Sequence, residues 1–166
     1  MRRRIFIAIN LPDEIKKQLV DYQDKWLELP CRWTKKENLH ITLEFLGYLA
    51  DEELMELCQK TRETVSAKKV FSVCLNKICY GPPKKIPPRM VWVTGEKIKE
   101  LNISPHITLG RIKTWQFRQI EPEERPEINE DIDLTFEVKS IEIMESHLRR
   151  GGGPEYTVLE SVPLKI

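Results

Sequence analysis

The 166-residue sequence predicts an α+β fold of roughly eight mostly antiparallel strands and two helices. Three observations carry this. Most apolar segments either alternate with period two or are too short for a helix. The stretches after Pro12 and after Asp51 switch instead to spacings of three and four. The tetrapeptide His-Ile-Thr-Leu, which alternates polar and apolar side chains, occurs twice, at 40–43 and 106–109.

Taken in order, Ile5 to Ile9 is almost wholly apolar and reads as a buried central strand. Pro12 suits a first helical position, Asp13 and Glu14 complement the N-terminal dipole, and Ile15, Leu19, Tyr22, Trp26 and Leu29 form one apolar stripe. A short strand at Arg32–Thr34 and a polar turn lead to the alternating run Leu39–Leu46, which is expected to stop at Gly47. A second helix follows over Asp51–Val65, with Asp51 as its cap and Leu54, Leu57, Cys58, Thr61 and Val65 facing inward. Strands are predicted at Val70–Tyr80 and Arg89–Thr94, joined by the loop Gly-Pro-Pro-Lys-Lys-Ile-Pro-Pro, where proline cannot continue a ladder. Gly95–Ser104 is too short for a helix like the first two, and the next strand begins at His106. Two last strands are expected at Leu134–Met144 and Tyr156–Pro163, separated by a glycine-rich loop.

Composition narrows the function classes. With 27 basic and 26 acidic side chains there is no global basic field, so any nucleic-acid contact must be local. Cys31, Cys58, Cys74 and Cys79 have no Cys-x-x-Cys spacing and are read as free thiols of a reducing compartment. The apolar run near the N-terminus is too short for a signal-peptide core, and no segment approaches a membrane span. A cytoplasmic monomer consisting of one domain over residues 1–166 is the expectation.

On a strand, His40 and Thr42 share one face while Ile41 and Leu43 share the other; His106, Thr108, Ile107 and Leu109 repeat the arrangement. The apolar faces call for helices, and the polar faces then meet across a groove with approximate two-fold symmetry. Two imidazoles so placed suit in-line displacement at phosphorus, where the attacking and leaving oxygens occupy opposite apices and each needs a proton-transfer group. Imidazole titrates near neutrality, so one ring serves as base and the other as acid. The threonine hydroxyls can donate to the non-bridging oxygens. No carboxylate or His/Cys ligand set stands at recognisable spacing, so no metal is expected. His147, beside Leu148, two arginines and three glycines, reads as a solvated loop residue.

At these residues the chain resembles the two-histidine phosphoesterases, specifically the RNA 2',3'-cyclic phosphodiesterases also called 2'-5' RNA ligases. The resemblance spans the opening RRRIFIAINLP, the segment RWTKKENLHITLEFLG, the strand RMVWV, the motif PHITLGR and the ending SHLRRGGGPEYTVLESVPL. It implies a bilobed fold of two interleaved lobes, with two mostly antiparallel sheets facing a central groove and helices on the outer faces. It also implies cofactor-free hydrolysis of RNA 2',3'-cyclic phosphate ends to 2'-phosphate ends, and joining of tRNA halves through a 2'-5' bond. By this analogy His106 activates water and His40 protonates the leaving oxygen, while Arg111 contacts phosphate and Phe45 lies near the site. Each of the last two stands five residues from its histidine, an odd step that points away from the groove on a regular strand. A bulge at Gly110 would turn Arg111 inward, whereas parity assigns Phe45 to core packing and aims Glu44 at the groove mouth. Eleven residues separate Val93 from Pro105 where relatives place a full helix, so the second lobe either lacks it or a segment is missing. The alternative reading is a non-catalytic RNA- or nucleotide-binding module using the same groove; a third keeps the chemistry on a 2'-5' linked oligonucleotide or a small cyclic nucleotide. Lys84, Lys85 and Arg89, and the cluster Lys113, Trp115, Phe117 and Arg118, have the composition of single-strand contacts.

Overall fold

The computed structural model describes residues 1–166. Its apolar strands pair into two antiparallel sheets that the chain enters and leaves in turn. The first has the order β3-β1-β8-β9 and the second β2-β6-β5-β4-β7. These are β1 (Arg2–Asn10), β2 (Cys31–Trp33), β3 (His40–Ala50), β4 (Phe71–Gly81), β5 (Met90–Gly95), β6 (His106–Ile112), β7 (Asn129–Val138), β8 (Ser140–His147) and β9 (Glu155–Pro163). Three helices, α1 (Asp13–Gln23), α2 (Asp51–Val65) and the short α3 (Thr114–Arg118), accompany them. The α+β class and the two antiparallel sheets follow the expectation.

The apolar stripe of α1 is buried as its spacing requires, with Leu19 inaccessible and Ile15 6% exposed, each burial contributing about 1.5–3 kcal/mol. The regular helix ends at Gln23, and a 3-10 turn at Asp24–Trp26 delivers Trp26 and then Leu29 to the same core. α2 lies against β3 and β9, the two edges of the first sheet, burying Thr61 and Val65. Its cap is Ala50 rather than Asp51, and the Glu53 carboxylate accepts the Ala50 N–H at 3.0 Å.

Two expectations are corrected and one is met. β3 does not stop at Gly47; it continues to Ala50 because Arg2–Ile5 of β1 remain available as partners, and Gly47 absorbs the local irregularity at φ +76°. The single strand expected at Leu134–Met144 is two, in different sheets. Leu134, Phe136 and Val138 are buried at even positions of β7, and Ile141 and Ile143 at odd positions of β8, so the alternation changes phase at Lys139 where the chain crosses over. The segment after β5 holds no helix, as its length implied. Ile98 and Ile103 close it as a tight turn, Ile98 N–H donating to the Ile103 carbonyl at 2.8 Å, and Ile98, 3% exposed, packs into the main core.

Candidate active site

The two duplicated motifs form β3 and β6, whose Cα atoms approach within 8 Å of each other across the molecule. Ile41, Ile107 and Leu109 are fully buried in the main core, so His40, Thr42, His106 and Thr108 necessarily turn the other way. All four line one groove of about 520 Å³, together with Arg4, Phe6, Arg32, Trp33, Lys35, Asn38, Phe45, Arg111 and Tyr156.

His40 is held on three sides. Its Nδ1 lies 2.7 Å from the Asn38 carbonyl, which can only accept, so Nδ1 carries the proton and Nε2 accepts from the Thr42 hydroxyl at 2.8 Å. Phe6 packs tilted against the ring and Tyr156 meets it edge-on, both with centroids 5.1 Å away. Asn38 is itself buried and donates from Nδ2 to the Pro154 carbonyl at 2.8 Å, tying this corner to the glycine-rich loop. His106 is oriented differently, stacked on Trp92 with centroids 4.1 Å apart and planes 20° off parallel. Burial pulls both imidazoles below their ordinary value. At His40 the Asn38 carbonyl works against that shift, while the charges of Lys16 and His106 add to it. A charge on His106 therefore disfavours a charge on His40.

The register between strands decides the remaining side chains. Against β1, Phe6 pairs with Phe45 and Ile7 with Glu44, but Ala8 pairs with Thr42, so Leu43 is an extra residue in β3. This bulge resets the parity. Phe45, five residues from His40, shares its face, and Glu44 looks away from the groove. Phe45 is 53% exposed, stacks near Phe6 at 6.4 Å and lies under the Arg4 guanidinium at 4.8 Å, so it is a groove residue and not core. β6 repeats the device. Val91 pairs with Gly110 and Trp92 with Thr108, leaving Leu109 as the extra residue, and Arg111 regains the face of His106. Arg111 and Thr108 both approach the Met90 sulfur, at 3.6 and 3.9 Å.

The bulge in β6 is pinned by groups that sequence reasoning missed. The buried Gln23 amide donates to the carbonyls of Leu109 at 3.1 Å and Thr34 at 2.9 Å. Thr34 N–H donates to the same Leu109 carbonyl at 2.9 Å, and its hydroxyl to the Thr108 carbonyl at 2.8 Å. Gly110 permits the close approach of β2, since a Cβ there would sit 2.8 Å from Trp33 Cε3. Arg4, Arg32, Asn38, Trp92 and Tyr156 were also not singled out; all but Gln23 fall in segments that carry the resemblance, yet nothing in those segments says which face meets the groove. His147 stays outside it, near Glu145 at 3.6 Å. No group of three His, Cys, Asp or Glu side chains that could hold a metal ion is formed, and the four cysteines are free.

Residues 9–92 match the model of the LigT-like phosphoesterases. The chain belongs to that family. The matched segment holds the first motif, and full-length relatives extend the similarity across the second. A protein of Methanocaldococcus jannaschii named RNA 2',3'-cyclic phosphodiesterase is 29% identical over 95% of this chain and 98% of its own. One of Thermotoga maritima with the same name is 28% identical over 94% of this chain and 92% of its own. The crystal structure of TT0787 of Thermus thermophilus superposes with a TM-score of 0.83 at 26% identity, covering 99% of this chain and 98% of the other. The LigT-like fold thus accounts for the two sheets and the groove between them. No helix of the chain is long and apolar enough to cross a membrane.

Proposed function

We propose that this chain, acting as one domain of two interleaved lobes, hydrolyses 2',3'-cyclic phosphate ends of RNA to 2'-phosphate ends. The observation that carries this reading is the meeting of His40, Thr42, His106 and Thr108 in one groove of a chain whose near-full-length relatives are named RNA 2',3'-cyclic phosphodiesterases. In the reaction water attacks phosphorus opposite O3', His106 takes the water proton, the P–O3' bond breaks and His40 gives O3' its proton. The Asn38 carbonyl supports this order, because it holds Nδ1–H of His40 and favours the charged ring that an acid must be. Trp92 supports the other half, since the indole face attracts the imidazolium that forms as His106 accepts a proton. Thr42, Thr108 and Arg111 are assigned to the phosphate oxygens and Phe45 to the terminal base, with no metal or other cofactor. Joining of tRNA halves through a 2'-5' bond is the same chemistry with a ribose hydroxyl at the apex where water enters.

The test is incubation with an oligonucleotide ending in 2',3'-cyclic phosphate, in chelator. A 2'-phosphate product is expected, lost by more than about 100-fold in both His40→Ala and His106→Ala, as removal of a general acid or base requires. Tight binding without turnover would establish the non-catalytic module instead. Turnover that either alanine variant retains would refute the site, and turnover abolished by chelator would refute the mechanism.

A further inference from the structure

The charge of this chain is divided between its parts. Residues 64–95 and 101–120 hold nine Lys and Arg and no Asp or Glu, although the whole chain has 27 basic and 26 acidic side chains. The topology gathers most of this charge at one end of the second sheet. β4 ends at Gly81 opposite the start of β5 at Met90, Met90 pairs with Arg111 near the end of β6, and Arg111 pairs with Arg32 of β2. The proline-rich loop 82–89 and α3 therefore leave the sheet side by side. The backbone joins them, with Ile112 N–H donating to the Arg89 carbonyl at 2.8 Å and Lys113 N–H to the Pro30 carbonyl at 2.8 Å.

Arg32 and Arg111 line the groove, and Lys84, Lys85, Arg89 and Lys113 stand exposed beyond them. None of these six is in an ion pair. Seven cations elsewhere are paired, Arg3 with Asp51 and Glu145, Lys17 and Lys36 with Asp13, Lys25 with Glu130, Arg62 with Glu160, Lys77 with Asp131 and Arg149 with Glu155, and the other unpaired ones, such as Arg2, Lys60, Lys139 and Lys165, are spread over the chain rather than gathered at one sheet end. Amid the free charges, Trp115 is 73% and Ile86 88% exposed, whereas Phe117 of the same cluster is buried at 2% and belongs to the core. Glu28 precedes this end in the chain, and Glu121, Glu123 and Glu124 follow α3 and bound it.

We infer that this end of the second sheet binds the single-stranded RNA that leads into the groove, Lys84, Lys85, Arg89 and Lys113 contacting its backbone phosphates and Trp115 stacking on a base. Unpaired cations interleaved with one exposed indole meet both demands of a single strand, continuous negative charge and unstacked bases. The inference rests on the proposed function, since it assigns the strand upstream of the same reacting end.

The experiment compares an eight-nucleotide RNA ending in 2',3'-cyclic phosphate with the matching mononucleotide 2',3'-cyclic phosphate. In Trp115→Ala and in Lys84→Ala/Lys85→Ala, kcat/KM on the oligonucleotide is expected to fall about tenfold while that on the mononucleotide stays within about twofold. Removing the two lysines should also flatten the dependence of log kcat/KM on log salt by about 0.7 for each phosphate no longer neutralised, on the oligonucleotide alone. Equal decreases on both substrates would place the effect in the fold and overturn the inference, as would no decrease on either. Wild-type protein inactive on both substrates would overturn the functional reading and this one with it. Turnover of both at equal kcat/KM would spare that reading and overturn this one alone.

Discussion

Replacing Gln23 by methionine keeps the volume of the side chain and removes its amide. Gln23 is 8% exposed and donates to two carbonyls, of which that of Leu109 belongs to the bulge residue that turns Arg111 into the groove. The Leu109 carbonyl keeps the Thr34 N–H and the Thr34 carbonyl loses its donor, at a cost of about 1–3 kcal/mol. For a chain of this size that lowers Tm by roughly 4–8 °C at the middle of the range. The larger consequence is positional. If β6 relaxes to a regular register, Arg111 points away from the groove and forfeits the charge-assisted hydrogen bond to phosphate proposed for it, worth about 1.5–3 kcal/mol. The decrease in kcat/KM on a 2',3'-cyclic phosphate substrate should therefore be about 10- to 100-fold in Gln23→Met. The decisive measurement is the double variant. Because Gln23 acts through Arg111, Gln23→Met in an Arg111→Ala background should reduce kcat/KM by no more than about twofold further. Multiplicative decreases in the double variant, or full activity in Gln23→Met with the Tm lowered, would refute the account of the bulge.

Two more outcomes follow from the same geometry. Burial holds both imidazoles below 6.5, and the proposed mechanism needs one neutral and one protonated, so the bell in kcat/KM should peak on the acid side of 6.5 and that in kcat higher, because a bound phosphate would favour imidazolium. The folded state binds protons at these rings more weakly than the unfolded chain, so their contribution to stability is present above 6.5 and is lost as pH falls through the lowered values; a Tm that rises on acidification through that window would contradict the shifts. Gly110→Ala places a Cβ against Trp33 and Cys31, an overpacking of about 1–3 kcal/mol that should lower Tm and be partly relieved by Cys31→Ala, and calorimetry showing an unchanged Tm would disprove the close approach.

Much of the site was legible because parity is a local property. His40 with Thr42 and His106 with Thr108 lie two apart, and no bulge falls between the members of either pair, so alternation alone put each pair on one face. The same holds for the stripe of α1 and for α2, whose predicted bounds Asp51 and Val65 are those observed. Phe45, Glu44 and Arg111 behaved otherwise, since each lies beyond a bulge from its histidine. A bulge exists only as a count against the partner strand, and the partners of β3 and β6 are long-range. The phase change at Lys139, by contrast, was written in the order of apolar residues.

By itself the sequence determined the element types, the shared face of the two motif pairs and, through resemblance, the family. Only the tertiary structure decided that Phe45 and Arg111 join that face, that Glu44 leaves it, and that one end of the second sheet gathers six unpaired cations. The physical reason is distance along the chain. The Gln23 amide that helps to fix the second bulge stands 86 residues from the carbonyl it holds, and no local period can reveal such a bond.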